Sequence, residues 1–107
     1  MQTHTLTAAQ TGHVVSVRVG DTLRVELEEN PTTGYRWQAQ PVEGGVLEPA
    51  GTQYNPGGQV AGAGGTAWLH FRAARPGRAT LRLELRRPWD SAGPAWQTFE
   101  AQVTVEP

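Results

Sequence analysis

At 107 residues with a formal net charge of -1, the chain has the size of one domain, long enough to bury roughly 60 to 70% of its unfolded surface. Its nine basic residues are all arginines, interleaved with ten carboxylates rather than gathered into a run, so no footprint for nucleic acid is evident. Cysteine and lysine are absent, which removes disulfides, thiol catalysis and cysteine metal sites together with Walker-type phosphate loops and Schiff-base chemistry.

The start, "MQTHTLTAAQ", lacks a basic region followed by an apolar run. No window approaches the roughly 20 apolar residues of a membrane span. The chain as given is expected to be soluble with no membrane insertion; its compartment is periplasmic or secreted if an export leader has been removed, otherwise cytoplasmic.

From there the pattern is period-two. In "VVSVRV" residues Val15, Val17 and Val19 share a face; after a tight Gly20-Asp21 turn, "TLRVELE" puts Leu23, Val25 and Leu27 on one face and Arg24, Glu26 and Glu28 on the other. "AWLHFRA" turns Leu69, Phe71 and Ala73 inward, "ATLRLELRR" does so with Leu81, Leu83 and Leu85, and "TFEAQVTV" with Phe99, Ala101, Val103 and Val105. Pro and Gly clusters separate the runs at 30–34, 55–65, 76–77 and 88–94, and no apolar stripe has helical spacing. The expected fold is a single domain over residues 1–107: an all-β, immunoglobulin-like antiparallel β-sandwich of about seven to eight strands.

Chemistry is sparse. "GAGGTA", Gly62 to Ala67, spells a dinucleotide fingerprint, but a glycine-rich loop precedes it and an alternating strand follows, where the fingerprint needs a strand and then a helix. Glu28 and Glu29 are adjacent, so a strand sends them to opposite faces, and they read as a solvated strand end rather than a glycosidase pair. His4, His13 and His70 fall on different predicted elements with no carboxylate cluster, and Ser16 and Ser91 lack a nucleophile-elbow setting. No catalytic residue, metal or cofactor is expected.

What the sequence does build is stiff loops. In "NPTTGYRW", Pro31 fixes its own φ and biases Asn30 to an extended conformation, Thr32 and Thr33 have few rotamers, and Gly34 can take a positive φ. In "RRPWD", Pro88 stiffens a loop that presents Trp89 beside Arg87, and Trp89 reads as exposed. In an immunoglobulin-like sandwich the loops after the second, fourth and sixth of seven strands share one end. With "VVSVRV" and "TLRVELE" as the first two strands, the Thr-Thr, glycine and Trp loops fall together. They then form a binding tip rather than a catalytic centre.

"NPTTGYRW" (Asn30 to Trp37), "GAGG" (Gly62 to Gly65) and "RRPW" (Arg86 to Trp89), in that order, resemble the chagasin family of cysteine-peptidase inhibitors, whose loop signatures are NPTTG, GxGG and RPW. The similarity runs from about Gly20 to Val105. The resemblance implies an immunoglobulin-like sandwich, monomeric, that binds reversibly across the active-site cleft of papain-like cysteine peptidases. Carried over, Thr32 and Thr33 would sit nearest the enzyme's catalytic Cys and His, with Asn30, Pro31, Gly34 and Tyr35 completing that loop. Gly62, Gly64 and Gly65 would lie along the non-primed side, and Arg87, Pro88 and Trp89 would cover the primed side. Trp68 departs from the family pattern, where a smaller or more polar residue is expected, and either extends the contact surface or covers a sheet face. The first dozen residues match nothing in the family. The alternative reading is a non-inhibitory immunoglobulin-like binding or adhesion module.

Overall fold

The computed structural model describes residues 1–30, 33–56, 64–89 and 93–107. Eight strands are formed: β1 (Thr3–Thr7), β2 (Val14–Arg18), β3 (Thr22–Glu29), β4 (Arg36–Ala39), β5 (Leu47–Pro56), β6 (Gly65–Ala73), β7 (Gly77–Arg86) and β8 (Gln97–Glu106). They make two four-stranded sheets of order β1-β3-β6-β5 and β2-β8-β7-β4. No α-helix occurs among the described residues; in particular Gly65 to Ala67 open strand β6, which leaves the dinucleotide-like motif without its helix.

The alternating side chains produce the core. Leu23, Val25 and Leu27 of β3, Leu69, Phe71 and Ala73 of β6, Leu81, Leu83 and Leu85 of β7, and Phe99, Ala101, Val103 and Val105 of β8 are all buried and belong to one cluster between the sheets. Strand β2 departs from the sequence reading: Val17 is buried, Val15 is half-buried, and Val19 lies past the strand end with 43% of its surface exposed. The chain has already begun its turn there, with the Val19 amide donating to the Glu106 carbonyl and the Asp21 amide to Arg18.

The central ladders are antiparallel, but the N-terminal segment adds two parallel pairs, β1 on β3 and β2 on β8. Asp21 ties this segment down. Its buried carboxylate accepts hydrogen bonds from the amides of Gln2 (2.9 Å) and Arg18 (3.0 Å) and lies 2.9 Å from His4 Nε2. The Arg18 amide, the His4 side chain and the Gln2 amide hold the carboxyl well below the usual carboxylate range.

Trp68 lies on the outer face of its sheet, half-buried, with the Arg24 guanidinium 5.2 Å from its ring centroid. Of the two roles open to it, covering the sheet face is the one the contacts support.

Strand register sets which connections share an end. Glu29 of β3 and Pro56 of β5 both oppose Gly65 of β6, Arg36 of β4 opposes Arg86 of β7, and Leu85 opposes Gln97 of β8. The connections β3–β4, β5–β6 and β7–β8 therefore leave the sandwich at one end, opposite the Asp21 cluster.

Candidate functional site

The β3–β4 connection crosses from one sheet to the other and is closed by a single tight turn. The Asn30 carbonyl accepts from both the Thr33 amide (3.1 Å) and the Thr33 hydroxyl (2.7 Å), and that hydroxyl also accepts from the Tyr35 amide at 3.3 Å. Gly34 then takes φ +80° to send the chain into β4. Pro31 and Thr32 lie outside the described residues.

Beneath the turn, Trp37 pins both strands. Its amide donates to the Glu29 carboxylate and its indole N–H to the Glu28 carbonyl, each at 2.8 Å. This corrects the reading of Glu28 and Glu29 as a solvated strand end. Glu28 is exposed, whereas Glu29 faces inward and is buried. The physical reason is that β4 is an edge strand, and the Glu29 carboxylate supplies its Trp37 amide with a partner from the opposite sheet.

The glycine connection meets this turn at its base. A β-carbon on Gly64 would stand 3.6 Å from Asn30 Cβ and 3.6 Å from the Glu29 carbonyl oxygen. Gly65 is buried, and its need for glycine is internal: a β-carbon there would run into the Asn55 carbonyl and come within 2.6 Å of the Tyr54 hydroxyl. Gly62 lies outside the described residues.

The third connection meets the first from the other side. Trp89, 74% exposed, lays the edge of its six-membered ring over Gly34. Arg87 sits over the Tyr35 ring at 4.7 Å, and Tyr35 also packs against Trp96, centroids 4.7 Å apart at 55°. Pro88 carries the chain between Arg87 and Trp89. The returning arm is fastened by the Trp96 amide donating to the Leu85 carbonyl (3.0 Å) and by Arg86, whose Nη1 donates to the Gly93 carbonyl (2.6 Å).

Arg86 is itself held by Glu84 (2.7 Å). Glu84 also pairs with Arg82 (3.1 Å), and Arg82 pairs with Glu100 (2.7 Å). Arg86 first, then Arg82, lowers the Glu84 carboxyl from its ordinary value, while the Glu100 and Glu84 carboxylates raise the Arg82 guanidinium.

Of the site residues expected from sequence, Asn30, Thr33, Gly34, Tyr35, Gly64, Arg87 and Trp89 thus stand at one end. Gly34 touches the Trp loop and Asn30 the glycine connection. Trp96, Glu29 and Arg86 were not among those expected. The only sequence signal for Trp96 is a tryptophan just after a Gly-Pro pair.

The assembly contains little that could catalyse a reaction. The Thr33 hydroxyl is engaged within its own turn, His4 pairs with Asp21 at the far end, and among the described residues no group of three or more His, Asp or Glu could hold a metal ion.

The family model described as "Chagasin family peptidase inhibitor I42" matches residues 16–103. The chain belongs to the chagasin family. It is 32% identical over 94 residues to chagasin of Trypanosoma cruzi, an alignment covering 80% of this chain and 83% of that protein. The fold also matches the crystal structure of the cysteine protease inhibitor EhICP2 from Entamoeba histolytica, with a TM-score of 0.85 at 21% identity over 99% of this chain and 97% of that one. A further neighbour is PbICP-C, solved in complex with falcipain-2. Its TM-score is 0.65 at 21% identity, covering 98% of this chain and 92% of that one. The matching family and EhICP2 are named as inhibitors, and the described residues of the three signature stretches lie at the end of the sandwich where the three connections leave it.

Proposed function

We propose that this chain is a reversible, competitive inhibitor of papain-like cysteine peptidases that fills the enzyme's active-site cleft with the three connections at one end of its sandwich. Support comes from family membership, from the naming of a structural neighbour as a cysteine protease inhibitor, and from another neighbour's complex with falcipain-2. The observation that carries the reading is the approach of the other two connections to the β3–β4 turn, Trp89 against Gly34 and Gly64 beside Asn30.

A tip whose turn is closed on itself by Thr33 and pinned below by Trp37 loses little conformational entropy on docking. Inhibition then needs only occlusion. A loop in a non-substrate register excludes substrate without aligning a peptide bond for attack by the enzyme's thiolate. An interface of standard size, roughly 1,600 Å² in total, is expected. With a net charge of -1, long-range steering contributes little to association.

Titration into a panel of papain-like peptidases with a substrate-cleavage readout tests the proposal. The expected result is a rise in apparent KM at constant kcat that reverses on dilution. Absence of inhibition of every member at micromolar concentration would defeat it.

A further inference from the structure

We infer that Trp96, with the cleft it walls, is a fourth contact of the peptidase-binding end, outside the three loop signatures, and that it favours peptidases presenting a basic side chain at the rim of their cleft. The inference rests on the inhibitory reading above.

Trp96 is 60% exposed, on the opposite arm of the same connection as Trp89. Such exposure of an indole is unfavourable in isolation, and here the ring is not free to fold away. Its amide is bound to the Leu85 carbonyl, and its ring packs against Tyr35, which Arg87 contacts in turn. A pre-positioned aromatic gives up little rotamer freedom when a partner covers it, and tryptophan is among the residues most enriched where binding energy concentrates.

Beside the ring opens a cleft of about 510 Å³, lined also by Glu28, Asn30, Thr33, Tyr35 and Gly64. It is continuous with the turn and the glycine connection, so a peptidase seated on the three loops lies over it. The chemistry of its walls sets the preference. Glu28 is exposed and makes no ion pair among the described residues. Meanwhile Arg86 is paired with Glu84 and donates to the Gly93 carbonyl, and Arg87, which keeps its charge over the Tyr35 ring, is not among the described residues lining the cleft. An indole and a carboxylate that makes no ion pair, lining one cleft, together suit a guanidinium or ammonium group, through cation–π attraction and charge pairing.

The test uses the full chain labelled with fluorotryptophan and a papain-like peptidase that the wild type inhibits, with Trp96→Phe assigning the Trp96 resonance. Saturating peptidase is expected to shift that resonance, and Trp96→Ala to raise the inhibition constant by about tenfold or more, mainly through faster dissociation. Glu28→Gln should weaken inhibition of a peptidase with a basic rim residue, and not of the same peptidase with that residue changed to alanine.

A resonance that stays in place on binding would overturn the contact even if Trp96→Ala weakens inhibition, because the loss would then run through Tyr35. An inhibition constant unchanged in Trp96→Ala would overturn it as well. Equal effects of Glu28→Gln on both peptidases would overturn the preference for a basic partner. If the wild type inhibits no peptidase, the inhibitory reading falls and this inference with it.

Discussion

Trp89 lies across Gly34 so closely that a β-carbon at residue 34 would come within 3.0 Å of its Cη2 atom. One glycine thus serves two ends: its φ of +80° turns the chain into β4, and its missing side chain lets the indole of a distant loop rest on that turn. Gly34→Ala is expected to lower stability by about 1–2 kcal/mol through backbone strain alone. It should also displace Trp89 and raise the inhibition constant about tenfold. Urea unfolding and inhibition titrations on the same preparation separate the two effects. An inhibition constant equal to the wild type's would mean that the Gly34–Trp89 contact does not organise the tip.

Removing the indole itself tests the other half of that pair. Because Trp89 is 74% exposed, Trp89→Ala should leave the melting temperature nearly unchanged while weakening peptidase binding by roughly 1–3 kcal/mol. An unaltered inhibition constant would remove Trp89 from the site.

Trp37 holds the loop from below and calls for a different substitution. Trp37→Phe keeps most of the buried ring but deletes the indole N–H that bonds to the Glu28 carbonyl at 2.8 Å. The expected cost is about 0.5–1.5 kcal/mol in stability. Faster amide hydrogen exchange should appear at Thr33 and Tyr35, whose turn sits directly above. Exchange confined to other regions would show that the turn stands without this support.

Strands β3, β6, β7 and β8 could be read from the sequence because each buries one face and turns the other to solvent, and alternation is what such a strand leaves in a sequence. Strand β5 could not. It is an edge strand whose ten residues are exposed except Leu47, and it tolerates Pro49, Gly51 and Pro56 because an edge needs fewer ladder bonds. In β1 only Leu6 is buried, so no rhythm marks it.

The candidate site divides the same way. Gly34 and Trp89 carry their conformational meaning locally, each within three residues of a proline. The inward turn of Glu29 and the grip of Arg86 on Gly93 close within single connections but follow from loop geometry that residue types alone do not record, and the packing of Trp96 against Tyr35 joins two connections distant in sequence.

Asp21 provides the pH dependence. The Arg18 amide, His4 and the Gln2 amide hold its carboxyl well below the unfolded value of about 3.9. Since the folded form favours the ionised carboxylate, its contribution is fully present above the unfolded pKa and is lost progressively as pH falls below about 4 toward the folded value. Asp21→Asn should therefore lower the melting temperature near neutral pH, with the difference from the wild type shrinking in acid. Melts from about pH 7 to about pH 2 check this, and a difference that stays constant over the range would show that ionisation of Asp21 is not the source. Inhibition at neutral pH should be unaffected, since Asp21 ties β1 and β2 to β3 at the end of the sandwich away from Gly34 and Trp89. A stability loss at one end with binding intact at the other is what a rigid framework carrying a preformed tip requires.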